Sequence, residues 1–317
     1  MTCVDFPCKP LVSVVIPTFN YGRYIIDAVG SVLAQSYPAI EIIVVDDGST
    51  DDTYHRISVF GDRVRYLYQE NSGPSRARNN GIRAARGELI AFLDADDMFH
   101  PRKLEIQVAY LSAHPDVGML VTNHFYDFKG NWPEISLHDP PADPVEFDEL
   151  LIKPRFGSCG VIVRRECFDV VGVFDEGLRY SEDRDLWLRI TAQYRVMKLR
   201  DPLWWYRLHG TSASRAAEKM EEAEKQVLRR AFKLENVRGR PVLRRRVASI
   251  AAWSAALMYR DTGMYGRAAI RVFRSLWYWP FPHVSEIASF GRLKLLCLLP
   301  KLWICTPKSK RDETDCR

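Results

Sequence analysis

Residues 90–97 are Ile90-Ala91-Phe92-Leu93-Asp94-Ala95-Asp96-Asp97, an apolar run that ends in three carboxylates within four positions. The apolar half predicts a buried strand, and like charges crowded at its end repel one another unless a cation neutralises them. Asp94 and Asp96 would point the same way if the strand continued. Carboxylate oxygens are typical ligands of Mg²⁺ and Mn²⁺, so the stretch predicts a divalent metal site. The alternative is a solvated acidic turn that caps the helix expected after Pro101.

Two upstream segments share this design of an apolar run followed by polar residues. Residues 11–16 and 40–45 are rich in valine and isoleucine, which is typical of strands buried on both faces of a parallel sheet. A helical pattern over residues 24–35 separates them and completes a strand-helix-strand unit. Polar segments follow both strands, at 17–20 and 46–51. Because ligands bind beyond the carboxyl ends of such strands, we predict an α/β fold with a ligand site along this edge.

A polar loop over residues 69–81 leads into a further helix. Arg76 and Arg78 stand near the start of that helix, where backbone N–H groups attract anions. Either arginine could contact a phosphate or bind the carboxylates of the acidic strand end. The alternative is an ordinary surface ion pair.

A second acidic pair, Glu182 and Asp183, stands at the start of an apolar helix predicted to run to Ile190. The helix dipole favours acidic residues in a first turn, so the pair could be purely structural. Farther on, Arg207 and His209 follow the aromatic run 204–206. A lone histidine is usually a structural surface residue, but its place after a strand-like run favours a site residue.

Four segments in this order resemble the inverting family 2 glycosyltransferases with the GT-A fold. They are residues 12–20, 44–51, 73–79 and 92–97, and the resemblance covers about residues 10–210. It implies a Rossmann-like, mostly parallel sheet flanked by helices, followed by a helical C-terminal extension. It also implies a metal-dependent enzyme of hexosyltransferase type. Such an enzyme would move a sugar from a nucleotide-sugar, expected to be UDP-linked, to a hydroxyl of a cell-surface glycan or lipid-linked saccharide.

The resemblance also assigns roles to residues by their position in these segments. Residues implied in donor binding are Pro17, Phe19, Asn20, Asp46, Asp47, Arg78, Asp94 and Arg207. Residues implied in binding Mg²⁺ or Mn²⁺ are Asp94, Asp96 and His209, with Asp96 as the main ligand. Asp183 would be the catalytic base, with Glu182 beside it. Asp46 and Asp47 could instead cap the turn that contains Gly48.

Charge and composition divide the chain near residue 215. We expect a catalytic domain over residues 1–215, with a nucleotide-sugar half at about 10–100 and an acceptor half at about 101–215. That part holds 24 Lys/Arg and 30 Asp/Glu, whereas residues 216–317, expected to form a basic helical extension, hold 21 and 10. Aromatic residues and leucines cluster at 276–281 and 293–304, which favours an anionic membrane surface over nucleic acid. Alternatively, these stretches cover the catalytic domain.

The seven cysteines are scattered and match no zinc or disulfide pattern, and Cys159 is expected to be a small packing residue. No signal peptide precedes them, and no apolar run is long enough to span a bilayer. We therefore expect a cytoplasmic protein, peripheral to the inner face of the cell membrane.

Two other function classes compete with the transferase interpretation. A sugar-phosphate nucleotidyltransferase would need a glycine-rich phosphate loop after the first strand, where residues 17–20 are Pro-Thr-Phe-Asn. A non-catalytic nucleotide-sugar or saccharide-binding module would have no need of Asp96, Asp183 and His209 together.

Overall fold

The computed structural model describes residues 9–126, 131–135, 141–153, 156–208 and 217–280. These residues divide into two compact units, one formed by residues 9–208 and 225–231, the other by residues 217–224 and 232–280. His209 and the stretch 293–304 lie outside the described residues. Among the described helices, none combines the length and the apolar character needed to cross a bilayer.

The first unit is an α/β fold built around one mixed sheet. Its strands are β1 (Val12–Thr18), β2 (Ile40–Asp46), β3 (Arg65–Tyr68), β4 (Leu89–Phe92), β5 (Met98–Phe99), β6 (Val117–Phe125), β7 (Ala142–Pro144), β8 (Val161–Arg164) and β9 (Arg195–Trp205). Its helices are α1 (Gly22–Leu33), α2 (Thr53–Ser58), α3 (Pro74–Ala84), α4 (Lys103–Ala113), α5 (Phe147–Ile152), α6 (Arg165–Val171) and α7 (Glu182–Thr191).

The strand order is β3-β2-β1-β4-β8-β6-β9-β5, with β7 beside β9. The strands β3, β2, β1 and β4 are mutually parallel, as the strand-helix-strand pattern predicts. β8 runs antiparallel to both β4 and β6, and β6 is parallel to β9. Every side chain from Val12 to Ile16 is fully buried, so the apolar run of β1 forms the centre of the core.

Strand register brings the predicted polar segments to one edge of the sheet. Thr18 pairs with Asp46 at the ends of β1 and β2, and the N–H of Asp47 donates to the Thr18 carbonyl at 2.8 Å. On the other side of β1, the N–H of Leu93 donates to the Val15 carbonyl at 3.1 Å. The acidic strand end that follows Leu93 therefore lies at the same edge as the segment after β2.

The segment 157–163 does not form one continuous strand. Residues Ser158–Gly160 form a 3₁₀ turn, and only Val161–Arg164 pair as β8. Close packing at Gly160 leaves no room for a side chain, because a Cβ there would meet the Thr122 carbonyl at 2.7 Å and the Trp204 indole nitrogen at 2.9 Å. Trp204 and Trp205, the first two residues of the aromatic run at 204–206, are the last two residues of the much longer strand β9.

The C-terminal region is helical, as predicted, over α8 (Ala217–Ala231), α9 (Pro241–Asp261) and α10 (Tyr265–Tyr278). In the second unit, α9 and α10 form a hairpin whose turn contains Gly263 at φ +77°. Their contact buries Trp253 and Ala256 of α9 against Val272 of α10. Nearby, the buried hydroxyl of Ser249 donates to the Ser275 carbonyl at 2.7 Å.

Candidate active site

The acidic strand end after β4 contains two partly exposed carboxylates and one buried carboxylate. Asp94 and Asp96 are partly exposed, whereas Asp97 is buried. Asp97 accepts the backbone N–H of Arg207 at 3.0 Å and the thiol of Cys159 at 3.2 Å. Burial, with the charges of Asp94 and Asp96 nearby, raises the pKa of Asp97 well above its usual range. Asp97 therefore anchors the loop, whereas Asp94 and Asp96 are only partly buried.

Three possible metal-ligand atoms lie close together at this strand end, but among the described residues their group does not include Asp96, the predicted main ligand. One ligand atom each from Asp94, Asp97 and Cys159 lie within 4.8 Å of one another. The Cys159 thiol donates a hydrogen bond to Asp97, and burial raises its pKa well above the usual range, so in this structure it carries its proton. Carboxylate oxygens remain as the available donors, and Mg²⁺ and Mn²⁺ prefer oxygen ligands.

Arg78 connects the acidic strand end to the second acidic pair. Its Nη2 donates to Asp94 at 2.8 Å and its Nη1 donates to Glu182 at 2.7 Å. The guanidinium also stands 5.5 Å from the centroid of the Phe174 ring. Its buried Nε has no hydrogen-bond partner among the described residues. In this arrangement Arg78 binds carboxylates, one of the two roles that the sequence left open.

Glu182 and Asp183 occupy the first turn of α7, which follows Ser181 in the left-handed conformation at φ +56°. The Asp183 carboxylate accepts the backbone N–H of Arg184 at 2.7 Å and remains partly exposed. Burial, followed by the negative charge of Glu182, raises the pKa of Asp183 to about 7. A carboxylate with that pKa can both lose and accept a proton near neutral pH.

Asp46 and Asp47 hold the segments beyond β2 in place. Asp46 accepts the N–H of Ser49 and the hydroxyl of Tyr66, both at 2.8 Å. Asp47 accepts the N–H groups of Ser72 and Gly73, also at 2.8 Å. The Asp46–Ser49 bond caps the turn that contains Gly48, as the alternative interpretation expected, whereas Asp47 binds the segment that precedes α3. Carboxylate oxygens can accept further hydrogen bonds, so the donor-binding role of both residues stays a prediction.

The end of β1 supplies an exposed ring and a loop anchor. Pro17 is half-buried within β1, and the side chain of Phe19 is 43% exposed. Asn20, at φ +57°, accepts the N–H of Thr50 at 2.8 Å and donates its own N–H to Ser49 at 2.9 Å. Asn20 thus fixes the segment after β2 beside the exposed ring of Phe19.

Arg207 contacts the backbone of the acidic loop, residues 94–97. Its Nε donates to the Asp96 carbonyl at 2.9 Å, and its Nη2 donates to Asp27 at 2.8 Å. The guanidinium lies 4.7 Å from the Tyr24 ring centroid and 4.5 Å from that of Trp205. Arg207 therefore holds the backbone at Asp96, while its predicted contact with the donor remains untested.

Sequence reasoning missed two residues at this site. Cys159, expected only to fill space, accepts the N–H of Asp94 at 3.2 Å and donates to Asp97. Tyr21 precedes α1, and burial together with the charges of Asp96, Asp94 and Asp97 raises its pKa to about 12. Neither residue belongs to a motif, and both approach the acidic loop only through the fold.

The fold is shared with solved glycosyltransferase structures. The mannosyltransferase PcManGT from Pyrobaculum calidifontis, in complex with GDP-Man and Mn²⁺, superposes with a TM-score of 0.62 at 18% identity, covering 94% of this chain and 86% of that one. Staphylococcus aureus TarS 1–349, in complex with UDP-GlcNAc, gives a TM-score of 0.57 at 16% identity, covering 93% and 91%. The first unit therefore has the α/β architecture of the GT-A class, and that prediction is confirmed.

The family model described as Glycosyl transferase family 2 matches residues 13–172. An uncharacterized glycosyltransferase of Rickettsia prowazekii is 33% identical over 222 residues, which are 68% of this chain and 70% of that protein. Bacillus subtilis TuaG, whose provisional name refers to teichuronic acid biosynthesis, is 32% identical over 211 residues, which are 65% and 82%. The chain belongs to glycosyltransferase family 2, as the motif order implied.

Other relatives extend well beyond the matched region. The match spans 61% of a glycosyltransferase from Rickettsia typhi and 31% of one from Rickettsia conorii. The similarity therefore concerns the family 2 region of those proteins and not their whole length.

Proposed function

We propose that this protein is a metal-dependent, inverting glycosyltransferase that moves a sugar from a UDP-sugar to a saccharide hydroxyl. The observation that carries the proposal is the double contact of Arg78. One guanidinium binds Asp94, at the strand end assigned to the donor, and Glu182, which adjoins the assigned base Asp183. The residues proposed for leaving-group stabilisation and for proton removal are thus connected through one buried side chain.

Asp183 is the proposed general base. Its ionised carboxylate would take the proton of an acceptor hydroxyl while that oxygen forms a bond to the anomeric carbon. The bond between that carbon and the diphosphate oxygen breaks in the same displacement, and the nucleoside diphosphate leaves with the bonding electrons. Attack from the face opposite the leaving group inverts the anomeric configuration. The raised pKa of about 7 suits this role, because such a carboxylate binds a proton more strongly than an ordinary one and still ionises near neutral pH.

Asp94 and Asp96 are the proposed metal ligands, together with His209. When bound, Mg²⁺ or Mn²⁺ would neutralise the negative charge that develops on the departing diphosphate. Other residues fix the conformation of this loop. Cys159 donates a hydrogen bond to Asp97, and Arg207 donates one to the Asp96 carbonyl. Rigid support of this kind is what orients metal ligands in proteins.

The donor and acceptor classes rest on analogy as well as on the site. Phe19 exposes a ring on which a base can pack, next to the predicted donor residues Pro17, Asn20, Asp46 and Asp47. TarS was solved with UDP-GlcNAc, and PcManGT with GDP-Man and Mn²⁺. The provisional name of TuaG refers to a cell-surface polymer. We therefore propose a cell-surface glycan or lipid-linked saccharide as acceptor, glycosylated at the cytoplasmic face of the membrane.

The test is release of nucleoside diphosphate from a panel of UDP-, GDP- and dTDP-sugars, with Mg²⁺, with Mn²⁺ and with chelator. The native protein is compared with Asp96→Ala and Asp183→Asn. We expect metal-dependent release from one donor, reduced at least about 100-fold in both variants. Asp62→Ala and Asp169→Asn, at exposed positions away from the site, serve as matched controls and should retain the native rate.

Each alternative predicts a different result. Donor binding without release, also in the presence of saccharide acceptors, would identify a binding module. Release of pyrophosphate from a nucleoside triphosphate and a sugar phosphate would identify a nucleotidyltransferase. Neither metal-dependent release nor nucleotide binding with any donor would refute the assignment of the donor site.

A further inference from the structure

Helix α10 exposes a stripe of large apolar side chains. Ile270, Phe273 and Trp277 are 52%, 63% and 82% exposed, and spacings of three and four residues place them on one face. A different face of the helix packs on α9 through Ala268 and Val272, which are fully buried. The three exposed residues, here named the α10 stripe, therefore take no part in the core of the hairpin.

The hairpin that carries the α10 stripe is strongly basic. Residues 241–280 contain seven arginines and a single acidic residue, Asp261, and two of the arginines, Arg267 and Arg271, pair with Glu218 and Glu221 of α8. Arg274 lies four residues after Ile270 and three before Trp277, so it shares their face. Its side chain is exposed and forms no ion pair with any described residue. The stripe thus combines two aromatic rings, an aliphatic side chain and an available positive charge.

We propose that the α10 stripe docks on the surface of an anionic lipid bilayer. Tryptophan and phenylalanine beside arginine are typical of helices that lie in the headgroup region, with rings in the acyl boundary and cations at the phosphates. Each basic residue near such a surface adds electrostatic attraction. The helix does not need to span the membrane, because its apolar residues occupy only one face.

Two other occupants of the stripe fit its charge less well. A second copy would bring two basic hairpins together, and like charges at an interface oppose association. Residues 281–317 carry seven basic and four acidic residues, so this segment also does not complement the arginines. Anionic lipid is the occupant that matches both the aromatic residues and the positive charge.

The test is binding of the full chain to phosphatidylcholine vesicles prepared with and without phosphatidylglycerol. We expect binding that requires phosphatidylglycerol, weakens with added salt, and falls at least about tenfold in Phe273→Ser/Trp277→Ser. Val59→Ser/Val170→Ser is the matched control, because these residues of the first unit are 68% and 65% exposed, and it should bind as the native chain does. Arg274→Glu should also weaken binding to the vesicles that contain phosphatidylglycerol, because it reverses a charge on the face of the stripe.

The proposal would be wrong if the native chain did not bind anionic vesicles, or if Phe273→Ser/Trp277→Ser bound them as well as the native chain does. A native dimer that becomes monomeric in this variant, together with no vesicle binding by either protein, would instead identify the stripe as a contact between two copies of the chain. If circular dichroism shows that the double variant is misfolded, Arg274→Glu decides the question. Because no donor is present, vesicle binding succeeds or fails independently of the proposed transfer reaction.

Discussion

Arg78 and Glu182 are 104 positions apart in the chain, yet Nη1 of the arginine donates to the glutamate carboxylate at 2.7 Å. Both side chains are largely buried, at 7% and 12% exposure. Burial alone would lower the pKa of Arg78, but Asp94 and Glu182 raise it above its ordinary value, so the guanidinium stays charged. The contact therefore joins α3 to α7 through a permanent buried charge, and it fixes the two proposed halves of the site to each other.

Arg78→Met should remove that connection while preserving an apolar side chain beside Phe174. Asp94 and Glu182 would lose their shared cation, and removing one partner of a buried ion pair costs about 3–5 kcal/mol. We expect the free energy of unfolding to fall by that amount and donor turnover to fall by about 100-fold. Arg76→Met is the matched control, because Arg76 is exposed on the same helix and its loss should change stability by less than about 0.5 kcal/mol. Native turnover in Arg78→Met would contradict the proposed role.

The pH dependence of transfer should report the ionisation of Asp183. Below its pKa of about 7 the carboxylate is protonated and cannot accept a proton, so kcat/KM should fall about tenfold per pH unit on the acid side. Glu182→Gln removes a negative neighbour and should move this limb to lower pH. Arg78→Met removes a positive neighbour and should move it to higher pH. A profile that stays in place in both variants would show that another group controls the acid limb.

The strands at the centre of the sheet could be predicted from the sequence, because the pattern that identifies each one lies within a few consecutive residues. The valine and isoleucine runs of β1 and β2 predict buried parallel strands, and parallel neighbours have their carboxyl ends at one edge. That reasoning placed Asp46 and Asp94 on the same edge of the sheet, where the structure has them. Strand β9 was missed over most of its length, because residues 195–202 alternate poorly and include three basic residues, Asp201 and Pro202.

The contacts that support the site could not be predicted from the sequence, because they join residues that lie far apart in the chain. The hydrogen bonds of Cys159 to Asp94 and Asp97 span 65 and 62 positions, and a lone cysteine carries no pattern that predicts such partners. The same holds for Arg207, whose side chain reaches the Asp96 carbonyl across 111 positions. Motifs identified which residues matter chemically, whereas the packing of β8 and β9 decided how they are supported.

Gly48→Ala tests whether the turn after β2 shapes the donor edge. Gly48 has φ +84°, and a Cβ there would lie 2.8 Å from the Asn71 backbone nitrogen. Asn71 in turn donates to the Asp47 carbonyl at 3.0 Å, so the clash should disturb that segment. We expect lower stability and about tenfold weaker binding of UDP in calorimetric titration. Gly61→Ala shares the left-handed conformation but meets no atom within 4 Å, so it should cost only about 1 kcal/mol and leave UDP binding unchanged.

Lys103 offers a test of the packing behind the acidic loop. Its side chain is fully buried, with Nζ 4.1 Å from the Phe99 ring centroid, and its hydrogen bond to Gln107 is 2.7 Å long. Gln107 donates to the Gly160 carbonyl at 3.1 Å, one residue beyond Cys159. Burial lowers the pKa of Lys103 to about 7. Folding above about pH 7 therefore requires this amine to lose its proton, whereas the unfolded chain keeps it protonated to about pH 10.

The sign of the resulting pH effect follows from proton binding. Between about pH 7 and pH 10 the unfolded state binds the extra proton, so stability relative to Lys103→Met should rise by about 1.4 kcal/mol per pH unit. Urea unfolding of native protein, Lys103→Met and the exposed-site control Lys9→Met at several pH values measures this difference. Native protein and Lys9→Met should gain stability in parallel, while Lys103→Met lacks this increment. If all three curves run parallel, Lys103 retains its proton in the folded state, and an anionic group must neutralise it.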